Sequence, residues 1–122
     1  MMTVLVIDDE DDIRLITEMG LRASGLDVIV AAGGSEGLAL ARAHVPDLIV
    51  LDVMMPEMDG YATLDALRAD PATSRIPVMM LTGKSITSDD EALRGRGVVD
   101  FVAKPFIPRK LVERVRAALG AI

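Results

Sequence analysis

Apolar residues along this chain are grouped into five short runs that are rich in branched side chains. The runs cover residues 3–7, 27–31, 48–51, 78–81 and 99–103. The first and third runs are almost continuously apolar, which is typical of strands covered on both faces in a parallel sheet. The pattern therefore predicts five buried parallel strands.

The segments between the first strands are predicted to form helices. Ile13, Ile16, Thr17 and Gly20 have helical spacing after an acidic pair that suits a helix N-terminus. Residues 35–43 are compatible with a second helix. A third helix covers residues 60–69, with Asp59 as its N-cap and Leu64 and Leu67 facing inward.

The C-terminal third of the chain has weaker helix signals. Ser88 and Glu91 form a predicted capping box for a short fourth helix, which Gly95 and Gly97 should weaken or end. A fifth helix begins near Arg109. Its apolar face consists of Leu111, Val115, Ala118 and Leu119.

This alternation of strands and helices predicts an α/β fold with an open, doubly wound sheet, because 122 residues are too few for a closed eight-unit barrel. In such sheets the functional site lies beyond the carboxyl ends of the strands. Asp8 and Asp9 follow the first strand, Asp52 follows the third, Thr82 the fourth and Lys104 the fifth. All five side chains are therefore expected at one edge of the sheet.

Three carboxylates in one small pocket need a cation or bound protons. Two like charges about 5 Å apart repel by roughly 3 kcal/mol at an effective dielectric of about 20. Mg²⁺ is commonly held by one or two carboxylates together with a phosphate. Taken singly, Asp8 and Asp9 are equally well explained as turn or helix-capping residues.

The same set of residues suits phosphoryl transfer to a carboxylate. Such a step needs the charge of the transferring group to be neutralised and its atoms held in line. Lys104 offers a compact positive charge, and the Thr82 hydroxyl can donate to a phosphoryl oxygen. A local turn hydrogen bond for Thr82 and a solvated charge for Lys104 are the structural alternatives.

Composition narrows the class of protein. The net charge is −6, with 19 acidic and 13 basic residues, which disfavours direct binding of nucleic acid. There is no cysteine, and no apolar run approaches the roughly 20 residues that cross a membrane. We expect one domain over residues 1–122, soluble and cytoplasmic, without membrane contact.

Four motifs, in order, carry a resemblance to a known family. They are residues 6–9 (VIDD), 51–60 (LDVMMPEMDG), 81–83 (LTG) and 101–106 (FVAKPF). Together they resemble the receiver domain of bacterial response regulators, the CheY-like family of two-component signalling, over essentially the whole chain. The resemblance implies a flavodoxin-like (βα)5 fold with strand order 2-1-3-4-5.

The resemblance also implies a role for each site residue. Asp52 would be the phosphoacceptor and Asp9 a direct ligand of Mg²⁺ or Mn²⁺. Asp8 would act mainly through bound water, and the backbone carbonyl of Met54 would complete the protein ligands. No other cofactor is implied.

On the phosphoryl side, Thr82 and Lys104 would bind the phosphoryl oxygens, and the bond between Lys104 and Pro105 would be cis. Thr82 and Phe101 would form the switch. The phosphate donor would be a sensor histidine kinase or a histidine phosphotransfer protein. A downstream effector or output domain would read the face made by the fourth helix, fifth strand and fifth helix, in a monomer or a phosphorylation-dependent homodimer.

The resemblance implies that two variable positions, Met54 and Lys84 here, tune the lifetime of the phosphoryl group, and neither residue is a carboxylate or amide that could orient an attacking water. We therefore expect autodephosphorylation not to be fast.

Three other functions share parts of this pattern. A magnesium-dependent phosphatase with an aspartate nucleophile would need a second acid where Met54 stands. A flavodoxin-like FMN binder would offer hydroxyls and amides in the first loop, where this chain has Asp8, Asp9 and Glu10. A degenerate receiver used only for interaction would have no need of three crowded carboxylates. The sequence therefore favours a phosphoryl-accepting receiver that is not an enzyme with turnover.

Overall fold

The fold is a five-stranded sheet with helices on both faces. The computed structural model describes residues 2–83 and 90–120. The strands are β1 (Thr3–Ile7), β2 (Asp27–Ala31), β3 (Leu48–Asp52), β4 (Val78–Thr82) and β5 (Val98–Ala103). The helices are α1 (Asp11–Ala23), α2 (Gly34–His44), α3 (Gly60–Ala69), α4 (Asp90–Arg94) and α5 (Pro108–Gly120).

All strand pairs are parallel, and their order in the sheet is β2-β1-β3-β4-β5. The predicted α/β class, doubly wound sheet and strand order are therefore confirmed. The order reverses beside β1, so the carboxyl ends of β1 and β3 are neighbours. That junction is where ligands bind in open sheets of this kind.

Successive residues of the central strands point to opposite faces of the sheet, and both faces are covered. On one face Leu5 and Ile7 pack with Leu64 and Leu67 of α3. On the other face the alternate residues of β1 pack with residues of α1 and α5, which are Leu21, Leu111, Val115 and Leu119. This two-sided burial explains why the runs in the sequence are continuous rather than alternating.

Several predicted boundaries were wrong by one residue, and two of these differences involve the site. Asp52 and Thr82 are the last residues of β3 and β4, not the first residues after them. Strand β5 begins one residue before its predicted start, α2 extends one residue further at each end, and α5 begins at Pro108. Helix α3 has the predicted bounds, and Asp59 caps it by accepting a hydrogen bond from the Ala62 amide.

Two helix predictions had different outcomes. In α1, the predicted Thr17 is buried and Ile13 and Gly20 are partly buried, but Ile16 is 43% exposed and Leu21, which was not predicted, is buried. Helix α4 ends at Arg94, before Gly95, as predicted. Ser88 lies outside the described residues, so the predicted capping box stays a prediction. Within residues 2–83 and 90–120, no helix has the length and apolar character needed to span a membrane.

Candidate functional site

The strand register brings the predicted site residues to one edge of the sheet. Ile7 is opposite Leu51 in the register of β1 and β3. Asp8 and Asp52, the residues that come next on each strand, therefore lie side by side. On the other side of β3, β4 runs alongside and ends at Thr82, which is opposite Ala103 of β5. Lys104 comes directly after Ala103, and the Lys104 amide donates to the Thr82 carbonyl oxygen at 2.7 Å.

Backbone hydrogen bonds fix the loop that follows β1. The Asp8 amide donates to the Ala31 carbonyl oxygen at 3.1 Å, and the Glu10 amide donates to Asp8 Oδ1 at 2.9 Å. Arg14 Nη1 donates to the Asp8 carbonyl oxygen at 2.9 Å. Asp8 is therefore held with its carboxyl inside the protein, fully shielded from solvent.

The loop after β3 places Asp52 just as firmly. The Met54 amide donates to Asp52 Oδ1 at 3.3 Å, and the Gly60 amide donates to the Val53 carbonyl oxygen at 2.9 Å. A Cβ at residue 60 would lie 2.5 Å from the Asp52 carbonyl oxygen. Only glycine lets α3 begin this close to β3.

Lys104 is the centre of the charge cluster. Its Nζ lies 2.9 Å from Asp8 Oδ2, 3.2 Å from Asp52 Oδ2 and 2.9 Å from Glu10 Oε1. The peptide bond between Lys104 and Pro105 is cis, as the resemblance implies. Three carboxylates thus share one ammonium group, which leaves the pocket with excess negative charge.

The donor set fits a hard divalent cation. Oxygens of Asp8, Glu10 and Asp52 lie within 4.8 Å of one another. Asp9 Oδ1 is buried and accepts no hydrogen bond in the described part of the chain. Asp8 Oδ2 and Asp52 Oδ2 are also buried, and both lie against the same Lys104 ammonium group. Several buried carboxylate oxygens with one ammonium group between them are costly unless a further cation coordinates them, so these atoms have the chemistry of magnesium ligands.

The surroundings shift the pKa of both principal groups. Burial, and then the neighbouring charge of Asp8, raises the pKa of Asp52 from 3.8 to about 6, although Lys104 opposes the shift. Burial lowers the pKa of Lys104, but hydrogen bonds to Glu10 and Asp8 and the charges of Asp8 and Asp52 outweigh it, so that pKa lies above its ordinary value. Lys104 is therefore a permanent cation at physiological pH.

One acid of the cluster was not predicted from the sequence. Asp9 is not a member of the carboxylate group, whereas Glu10 is. The sequence signal for Glu10 was its place directly after the acid pair, but its side chain is 57% exposed and reaches the site only through Lys104. The Met54 carbonyl as a ligand stays a prediction, and the Met54 side chain points to solvent.

The two predicted switch residues have different environments. Thr82 is partly buried at the end of β4. Phe101 is only 6% exposed in β5, and the guanidinium carbon of Arg94 lies 5.4 Å from the centre of its ring. This burial agrees with the preference expected of an aromatic ring without a hydroxyl. Lys84 lies outside the described residues.

The model of the response regulator receiver domain family matches residues 4–116 of this chain. The chain belongs to that family. This receiver domain is 44% identical over 119 residues to a probable transcriptional regulator ycf27 from Porphyridium aerugineum, covering 98% of the chain and 48% of the relative. It is 42% identical over 116 residues to the transcriptional regulatory protein PrrA from Mycobacterium tuberculosis, covering 95% of the chain and 49% of the relative. The receiver domain thus spans about half the length of these curated relatives.

Solved structures give the same family and fold. The chemotaxis protein CheY4 of Vibrio cholerae superposes with a TM-score of 0.87 at 32% identity, over 96% of this chain and 98% of that one. A putative response regulator from Chloroflexus aurantiacus superposes with a TM-score of 0.85 at 37% identity, over 98% of both chains. The family, the CheY-like fold and its place in two-component signalling are therefore confirmed.

Proposed function

We propose that this receiver domain accepts a phosphoryl group on Asp52 from the phosphohistidine of a sensor histidine kinase or a histidine phosphotransfer protein. The observation that carries the proposal is the buried Oδ2 of Asp52, which lies 3.2 Å from the Lys104 ammonium. A buried carboxylate oxygen beside a fixed cation suits attack on a phosphorus atom whose own oxygens are anionic.

The residues have complementary tasks in this step. An Asp52 oxygen forms the bond to phosphorus while the bond from phosphorus to the donor nitrogen breaks, and the leaving imidazole takes up a proton. Lys104 balances charge on the phosphoryl oxygens, and the Thr82 hydroxyl donates to one of them. Mg²⁺ or Mn²⁺, held by Asp8, Asp9, Asp52 and the Met54 carbonyl, would neutralise further charge.

The signal would then pass to the face formed by α4, β5 and α5. Phosphorylation adds about −1.5 to −2 charge and three acceptor oxygens. Thr82 is opposite Ala103 in the register of β4 and β5, and Phe101 lies two residues before Ala103. Drawing the Thr82 hydroxyl toward these oxygens would therefore change the environment of Phe101. A downstream effector or output domain would read the change, in a monomer or a phosphorylation-dependent homodimer.

The curated relatives suggest where this output leads. They are named as transcriptional regulators and are about twice as long as this chain. We propose that the domain, spanning residues 1–122 in the cytoplasm, controls such an output without contacting nucleic acid itself. It would take one phosphoryl group per chain and lose it slowly by autodephosphorylation, rather than act as an enzyme on other molecules.

The test is stoichiometric labelling. The domain is incubated with acetyl phosphate and Mg²⁺, and the intact mass of wild type is compared with that of Asp52→Asn. We expect a gain of one phosphoryl group in the wild type only. An equal gain in Asp52→Asn would move the acceptor to another residue.

The rival functions give different results in the same samples. Sustained release of phosphate from a generic phosphate ester would favour the aspartate phosphatase. No labelling of the wild type by any donor would favour a degenerate receiver that serves only for interaction. A phosphate half-life of seconds on Asp52 would contradict the prediction of slow autodephosphorylation.

A further inference from the structure

Glu10 is the only carboxylate among the three around Lys104, within the described residues, that faces solvent. It is 57% exposed, whereas Asp8 and Asp52 are buried. Its Oε1 accepts a hydrogen bond of 2.9 Å from Lys104 Nζ, across 94 positions of the chain. The ammonium is therefore enclosed by two inner carboxylates and one outer carboxylate.

Within the described residues, the side chain of Glu10 has no other structural task. Glu10 occupies the N-cap position of α1, yet its side chain makes no capping hydrogen bond. Asp11 and Asp12 already supply negative charge to the first turn of that helix. Among the residues that the structure describes, the contact with Lys104 is thus the one polar interaction of this carboxylate.

The backbone of Glu10 is fixed, but its side chain can move. The Glu10 amide donates to Asp8 Oδ1, and the Glu10 carbonyl oxygen accepts from the Arg14 amide at 2.9 Å. Rotation about side-chain bonds alone would carry the exposed carboxylate away from Lys104. No rearrangement of the loop is needed to break the contact.

We infer that Glu10 is a positioning residue that holds the Lys104 ammonium in the unphosphorylated domain and must release it before phosphoryl oxygens can bind there. The inference rests on the proposed function of Asp52. Asp8 and Asp52 are the buried acids suited to a cation, so Glu10 is the partner that remains for Lys104 when those two are engaged. An incoming phosphoryl group competes with Glu10 for the same ammonium group.

Three variants separate this role from a general effect of charge. Glu10→Gln removes the charge and keeps the length of the side chain. Glu10→Asp keeps the charge but shortens the reach to Lys104. The matched control is Asp11→Asn. It removes the charge of the neighbouring carboxylate, which is 86% exposed and pairs with Arg14 rather than with Lys104.

The first measurement is the rate of labelling by acetyl phosphate at saturating Mg²⁺. We expect Glu10→Gln and Glu10→Asp to be labelled about 2- to 5-fold faster than wild type, the factor expected from loss of a partly exposed ion pair. Asp11→Asn should retain the wild-type rate. Equal acceleration in Glu10→Gln and Asp11→Asn would overturn the inference, and so would a wild-type rate in Glu10→Asp. Either result would indicate general repulsion between acidic side chains and the anionic phosphodonor.

The second measurement is independent of phosphorylation. Mg²⁺ affinity is determined from chemical-shift titration, and hydrogen exchange of the Lys104 ammonium is followed by ¹H–¹⁵N spectra without donor. We expect faster ammonium exchange in both Glu10 variants and Mg²⁺ affinity within about 3-fold of wild type. A fall in Mg²⁺ affinity of about 10-fold or more in Glu10→Gln, together with slower labelling, would make Glu10 a part of the cation site and overturn the inference.

Failure of the two proposals can be told apart. A wild type that is never labelled on Asp52 removes the proposed function, whatever the ammonium exchange shows. A wild type labelled on Asp52, with Glu10→Gln labelled no faster, removes only the role of Glu10.

Discussion

Asp52 is a carboxyl group held almost wholly out of solvent, and this burial makes stability depend on pH. Its pKa is raised to about 6 in the folded protein. Between about pH 4 and pH 6 the unfolded chain therefore loses a proton that the folded protein still holds. The free energy of unfolding should fall as pH rises through this window, and the whole decrease should be present above about pH 6.

Asp52→Asn should remove this cost. In metal-free buffer at pH 7.5, we expect the variant to be more stable than wild type by about 1–3 kcal/mol, and the difference should vanish near pH 3.5. Urea unfolding at both pH values measures it. The control is Glu113→Gln, an exposed acid on α5. A gain in stability for Asp52→Asn that is equal at both pH values would contradict the argument.

Gly60 controls how closely α3 approaches the end of β3. A Cβ here would lie 2.5 Å from the Asp52 carbonyl oxygen and 2.7 Å from Val53 Cα. Although alanine favours helices over glycine, we expect Gly60→Ala to lower the free energy of unfolding by about 1–3 kcal/mol, because backbone must move. Gly33→Ala, where a Cβ meets nothing within 4 Å, should cost less than about 1 kcal/mol. Equal effects in chemical unfolding would argue against this close approach.

At the scale of elements, one arginine joins α3 to the loops that precede β4 and β5. Arg68 donates hydrogen bonds to four main-chain carbonyl oxygens. The bonds run to Arg96 at 2.5 Å, Ile76 at 2.8 Å, Ser74 at 3.1 Å and Thr73 at 3.3 Å. Burial, and then the charge of Arg96, lowers the pKa of Arg68. The planar guanidinium serves here as a brace between elements.

Arg68→Lys should not replace this brace, because an ammonium group cannot reach carbonyls on two separate loops at once. We expect a loss of about 1–3 kcal/mol in the free energy of unfolding, since several carbonyl oxygens lose their donors. Arg75→Lys is the matched control, because Arg75 is exposed and its side chain has no ion pair in the described part of the chain. If both variants unfold at the same urea concentration, the hydrogen bonds of Arg68 contribute nothing to stability.

At the scale of the whole molecule, the crowded carboxylates should couple cation binding to folding. Three carboxylates face one ammonium group, so a bound divalent cation relieves repulsion that only the folded chain creates. We expect Mg²⁺ at about 100 times its dissociation constant to stabilise the domain by about 2.7 kcal/mol. Thermal unfolding with Mg²⁺ and with EDTA measures the shift. An equal shift in Asp8→Asn would show that the cation binds elsewhere.

Local sequence patterns were sufficient to predict most of the strands and helices. Continuous apolar runs predicted the strands because both faces of a parallel sheet are covered, and Asp59 correctly marked the start of α3. The edge shared by Asp8, Asp52, Thr82 and Lys104 also followed from the chain alone, because parallel strands all end on the same side. Strand ends were less exact, since pairing with a neighbour, rather than local preference, extends β3 to Asp52.

Only the tertiary structure determined which side chains meet. Ile16 shares its helical spacing with the buried Thr17, yet it is 43% exposed, because α5 packs against α1 on the side of Gly20 and leaves Ile16 at the edge of the buried face. The contact between Glu10 and Lys104 joins residues 94 positions apart, and it depends on side-chain reach that no local pattern encodes. Periodicity reports the environment of each element, whereas the distances between charged groups arise only when the sheet has assembled.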